Sequence, residues 1–173
     1  MERLAIIGGT GLESINVLNI IKKKNVETPY GPTSSAFVYG ELGGCEIVFL
    51  SRHGTDHTIS PHKVNYRANI WGLHSIGVTS IIAVASVGGI NSNTPPRKIV
   101  IPDQIIDYTY SRKQTFFEDR SNHVTHVDFS QPYCDEMRQI LLQAAKDLDF
   151  DVCIGGTYGV TQGPRLETAA EIN

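Results

Sequence analysis

Short apolar runs that empty into glycine constrain this chain more than any other feature. Leu4 to Ile7 leads into Gly8-Gly9-Thr10-Gly11, and Thr79 to Val84 leads through Ala85-Ser86-Val87 into Gly88-Gly89. Both runs are apolar at successive positions and rich in β-branched residues, which suits parallel strands covered on two faces. Glycine at the exit lets the chain turn tightly and lets backbone N–H groups approach an anion. Between these runs, Ala36 to Leu42 and Cys45 to Leu50 read as a hairpin around Gly43-Gly44. Ser60-Pro61 reads as a helix start, with Tyr66, Ile70, Leu73 and Ile76 as its stripe and Gly77 just past its end. Later, Ile99 to Ile101 is a short strand, Ser111 to Thr125 a surface loop or lid, and Asp151 to Val160 a strand pair or one bent strand. A helix after Pro132 carries Met137, Ile140, Leu141, Ala144 and Leu148. Alternating strands and helices of this kind predict an α/β three-layer α/β/α sandwich, with a mixed sheet because of the hairpin.

With 173 residues and 40% hydrophobic content, the chain is expected to form a single domain with its own core. A net charge of −3 with scattered basic residues argues against nucleic acid. No apolar run approaches a signal peptide or a membrane span in length, so a cytoplasmic protein without a membrane partner is expected. Cys45, Cys134 and Cys153 are odd in number and widely separated, and read as reduced thiols.

The densest polar stretch is Ser51 to Asn69, which gathers His53, His57 and His62 with Arg52, Lys63 and Arg67 directly after the hairpin's second strand. A fixed cation, an imidazole and a glycine at a strand's carboxyl end sit where open α/β sheets place ligands, and an anion is the ligand they suit. Three strand ends carry such chemistry, at Gly8 to Gly11, Ser51 to Gly54 and Ala85 to Gly89. Converged, they would put Thr10, Arg52, His53 and Ser86 around one phosphate. Each taken singly also fits an ordinary strand-to-loop turn. The three histidines match no zinc spacing, and no metal or organic cofactor is expected. The glycine turn lacks the features of a Walker loop and the spaced glycines of a dinucleotide module.

Taken together, Ile6-Ile7-Gly8-Gly9-Thr10-Gly11, Arg52-His53-Gly54, Val64-Asn65-Tyr66-Arg67-Ala68-Asn69 and Gln162-Gly163-Pro164-Arg165 resemble the purine nucleoside phosphorylase and methylthioadenosine phosphorylase family, in the same order along the whole chain. The resemblance implies a phosphorylase/hydrolase-like fold, a homotrimer, and phosphorolysis of a purine nucleoside with inorganic phosphate as co-substrate. It implies phosphate contacts from Thr10, Arg52 and His53, with Ser86 beside Ala85, where relatives often carry a hydroxyl or amide. It also places Ser86, Val87, Gly88, Leu166, Glu167 and His126 at the nucleoside.

Glu167 stands where enzymes acting on 6-oxopurines carry a glutamate, and an acceptor-only carboxylate suits their N1–H. It also fits a first-turn acid favoured by a helix dipole. His126 matches a histidine placed by a 5′-alkylthio group, contributed across the subunit interface, and equally fits a loop corner. Together they imply S-methyl-5′-thioinosine as substrate, with methylthioadenosine, or inosine and guanosine, as alternatives. The resemblance further implies that residues 1–173 lack the family's C-terminal part, and that the Asp or Asn helping the base to leave lies beyond Asn173. A truncated product that only binds ligand is the alternative of another class.

Overall fold

The computed structural model describes residues 3–9, 19–118 and 124–173. Thr10 and Gly11, half of the first glycine turn, fall outside them. The chain divides into two compact units, Met1–Ser86 with Ser111–Asp119, and Val87–Tyr110 with Arg120–Asn173.

In the first unit the apolar runs are the parallel centre of a five-stranded sheet. β1 (Leu4–Gly8) lies between β4 (Cys45–Ser51) and β5 (Ser80–Ala83), parallel to both. β3 (Phe37–Leu42) pairs antiparallel with β4, with Leu42 opposite Cys45, so the Gly43-Gly44 hairpin forms as the sequence predicts. Both glycines have positive φ, which a two-residue turn of this hand requires. β2 (Asn19–Lys24) adds an antiparallel edge beyond β3, completing the order β2-β3-β4-β1-β5. The mixed sheet is therefore present.

Ala5, Ile7, Phe37, Tyr39, Val48, Leu50, Leu73 and Val78 form one buried cluster. Phe37, Leu50, Leu73 and Val48 are fully buried, each worth about 1.5–3 kcal/mol relative to exposure. Leu73 comes from α1 (Tyr66–Ser75), which starts later than the Ser60-Pro61 signal suggests. Pro61–Lys63 forms only a 3₁₀ turn, extended backbone at Val64 interrupts it, and Asn65 caps α1 by accepting from the Ala68 N–H at 3.1 Å. Gly77, with positive φ, ends the helix as expected.

The second unit holds two parallel pairs. β6 (Ile99–Ile101) pairs with β8 (Val152–Ile154), and β7 (Gln104–Asp107) with β9 (Thr157–Val160). The Asp151 to Val160 run is thus two strands, each paired elsewhere. Gly155 and Gly156 separate them because Asp103 crowds the turn. A Cβ on Gly155 would meet Asp103 Oδ2 at 2.9 Å, and Gly156 N–H donates to Asp103 Oδ1 at 2.9 Å.

α2 (Asp135–Asp147) lies where the periodicity predicts, but with a rotated face. Met137, Leu141, Leu142 and Ala145 are half-buried, whereas Ile140 and Leu148 are 53% and 77% exposed. The Arg138 guanidinium on this helix donates to the Pro102 carbonyl at 2.9 Å and pairs with Asp135 one turn before it. α3 (Ala169–Ile172) follows a capping box between Thr168 and Glu171. No helix among the described residues is long and apolar enough to cross a membrane.

Candidate active site

Parallel pairing alone brings three strand ends together in the first unit. Gly8 stands opposite Ser51, and Ile7 opposite Ala83. The ladder runs one residue further, with Arg52 N–H donating to the Gly8 carbonyl and Val84 N–H to the Ile7 carbonyl, each at 2.9 Å. The ends of β1, β4 and β5 therefore lie side by side as a consequence of sheet register.

Arg52 ties these ends together. Its Nη1 donates to the Val84 carbonyl at 3.3 Å, and its Nη2 lies 3.8 Å from where a Cβ on Gly9 would be. Its Nε donates to His53 Nε2 at 3.3 Å. His53 Nδ1 lies 2.9 Å from the Ile59 carbonyl, an acceptor, so Nδ1 carries the ring proton and Nε2 presents a lone pair. Burial holds the imidazole's pKa below its ordinary value. The Ile59 bond opposes that shift, and the charges of Arg52 and His57 add to it. His57 stacks at a tilt against His53, with ring centroids 4.7 Å apart.

The loop that carries these groups is folded on its own backbone. Gly54 N–H donates to the Ser51 carbonyl, His57 N–H to Gly54, and Ile59 N–H to His53, at 3.2, 3.2 and 2.9 Å. Gly54 is buried with φ of +80°, a conformation that excludes larger residues without strain. The permanent cation just past β4, beside the ends of β1 and β5, suits a multiply charged oxyanion, and the Nε2 acceptor of His53 suits the hydroxyl of a protonated one such as hydrogen phosphate. Ser86, two residues past Val84, is exposed at the end of the unit. No group of three or more His, Cys, Asp or Glu among the described residues is placed to hold a metal ion.

The remaining predicted residues lie in the second unit. Val87, Gly88 and His126 are exposed in segments without regular structure, and Leu166 is 85% exposed. Glu167 sits just before Thr168, the N-cap of α3, and the first-turn acid of that helix is Glu171. The helix-dipole reading therefore belongs to Glu171. Arg165 grips Glu171 through two bonds of 2.9 and 2.7 Å, and this pairing, with the Thr168 N–H, brings the Glu171 carboxyl down to about 2. Glu167 instead accepts from the Thr161 hydroxyl at 2.6 Å, which with its own backbone N–H holds its pKa below the usual carboxylate value. Sequence reasoning overlooked Thr161, although a hydroxyl at a strand end six residues before a glutamate was there to be noticed. It also passed over the Ile59 and Val84 carbonyls, which orient His53 and Arg52 but have no side-chain signature.

The Phosphorylase superfamily model matches residues 3–173. The chain belongs to that superfamily. A probable S-methyl-5′-thioinosine phosphorylase of Xylella fastidiosa is 49% identical over 169 residues, covering 98% of this chain and 71% of the relative. A 6-oxopurine nucleoside phosphorylase of Pyrococcus furiosus is 48% identical over 177 residues, covering 99% of this chain and 66% of that one. The methylthioadenosine phosphorylase of Schistosoma mansoni in apo form superposes with a TM-score of 0.90 at 32% identity, over 99% of this chain and 68% of that structure. The superfamily member described here thus spans about two thirds of the length of these relatives.

Proposed function

We propose that this protein catalyses phosphorolysis of S-methyl-5′-thioinosine, giving hypoxanthine and 5-methylthioribose 1-phosphate. The observation that carries the substrate class is Glu167, placed before the helix with its carboxyl group accepting from the Thr161 hydroxyl. An acceptor-only group takes the N1–H of a 6-oxopurine and repels the N1 lone pair of adenine. Relatives named for methylthioinosine and for 6-oxopurines support the same reading.

The nucleophile is inorganic phosphate, the co-substrate, held by Arg52 and His53 with Thr10 and Ser86. A phosphate oxygen bonds to the anomeric carbon as the bond from that carbon to purine N9 breaks. The bonding pair leaves with the base, and the proton that hydrogen phosphate carried ends on hypoxanthine. The sugar passes through a cation-like state, so an anion fixed beside it stabilises the charge as it develops. His126 faces the 5′-methylthio group across a subunit interface in this reading, and Val87, Gly88 and Leu166 border the nucleoside. The chain acts as one phosphorylase domain in a cytoplasmic homotrimer.

Phosphate-dependent release of hypoxanthine from methylthioinosine, compared with adenine from methylthioadenosine, tests the proposal. The 6-oxopurine nucleoside is expected to be preferred in kcat/KM by about a hundredfold. Preferred release of adenine would overturn it.

A further inference from the structure

We propose that Thr161 is a positioning residue for purine choice: its hydroxyl, donating to Glu167 from the end of β9, orients the carboxylate that meets the base and so works against 6-aminopurines. This rests on the reading of Glu167 as the group that meets the base.

The two partners differ in how they are held. Thr161 is the first residue past β9, and a backbone bond holds the residue before it while a side-chain bond engages the residue after it. Tyr108 N–H donates to the Val160 carbonyl at 2.8 Å, and Tyr110 N–H to Gln162 Oε1 at 3.2 Å. Glu167 stands on an exposed turn between Pro164 and the cap of α3. The bond of 2.6 Å between them therefore runs from a strand end to a side chain that would otherwise sample several rotamers.

Its polarity matters as much as its position. The hydroxyl donates to Oε1, so the carboxylate is engaged as an acceptor. A glutamate could satisfy the N1 acceptor of adenine only by protonating, and a donor already bound to the carboxylate favours the ionised state. Thr161 thereby works against adenine without touching it. The Thr161 hydroxyl and then Glu167's own backbone N–H lower the carboxyl's pKa, and Arg165, although paired with Glu171, adds to that lowering.

The test uses Thr161→Val, which keeps the shape and removes the donor, Thr161→Ser, which keeps the donor, and Glu167→Gln. Each is made in the protein and assayed with methylthioinosine and methylthioadenosine from about pH 5 to about pH 8. Thr161→Val is expected to lower the preference for the 6-oxopurine about tenfold, the order of one hydrogen bond to a charged group, with the larger loss at the acid end. Thr161→Ser is expected to restore it. Carbon-13 titration of the Glu167 carboxyl gives a reading independent of turnover, and is expected to move to higher pH in Thr161→Val alone. A Thr161→Val protein with unchanged preference and an unchanged Glu167 titration, beside a Glu167→Gln protein that loses preference, overturns the role of Thr161. Unchanged preference in Glu167→Gln instead overturns the reading of Glu167 on which this role depends.

Discussion

Arg52 shows how one side chain turns sheet register into a site. Its guanidinium reaches Val84, His53 and the space over Gly9, a spread that a planar fork allows and an ammonium does not. Arg52→Lys is expected to weaken phosphate binding about tenfold by calorimetry while leaving the choice between purines unchanged. Equal phosphate affinity would remove Arg52 from the site. His53 gives a pH signature. Its pKa is lowered in the folded protein, so the unfolded chain takes up the proton first as pH falls. The contribution of neutral His53 to stability is full above the ordinary histidine value of about 6.5, and is lost as pH drops below it toward the folded value. His53→Gln is expected to flatten the fall of the urea midpoint between about pH 7 and about pH 5. A fall as steep as that of the unaltered protein would argue against burial of the neutral ring. Arg52, His53 and Gly54 were readable from sequence because their types are unusual together at a strand end. The Ile59 and Val84 carbonyls were not, since every residue carries one.

At the scale of elements, α1 depends on two contacts that composition does not reveal. Asn65 accepts from Ala68 N–H and donates from Nδ2 to the Tyr30 carbonyl at 2.7 Å, joining helix start and loop. Asn65→Ala is expected to cost about 1–2 kcal/mol in chemical denaturation. Gly72 is buried against Phe37, where a Cβ would come within 2.9 Å of Phe37 Cζ. Helix propensity favours alanine there by about 1 kcal/mol, but overpacking costs about 1–3 kcal/mol, and Phe37 is fully buried. Gly72→Ala is therefore expected to lower the melting temperature, and an increase would show that Phe37 can move aside.

The parallel strands, the hairpin and α2 were legible because their patterns are strong. β2 was not: Asn19-Ile20-Ile21-Lys22-Lys23-Lys24 is exposed throughout, with a register shift between Ile20 and Lys22, so neither alternation nor burial marks it. Lysines on an edge strand deter further pairing, which makes such strands look like loops in a sequence. The face of α2 was misjudged for a related reason. Several apolar residues compete for the stripe, and Met137 and Leu141 are half-buried while Ile140 and Leu148 are exposed.

For the whole molecule, order along the chain carried the family more than any single motif did. Four short segments, each ambiguous, fall in one sequence order, and the superfamily match runs from residue 3 to residue 173. The meeting of strand ends in the first unit follows from strand pairing, and the placing of Glu167 in the second from a strand-end hydroxyl. The proposed function needs phosphate, rather than water, as the nucleophile. Supplying phosphorus-32 phosphate with methylthioinosine and following the label tests this most directly. Label is expected in a sugar 1-phosphate in step with hypoxanthine release, with no release when phosphate is withheld. Hypoxanthine released without phosphate, leaving an unlabelled free sugar, would contradict it.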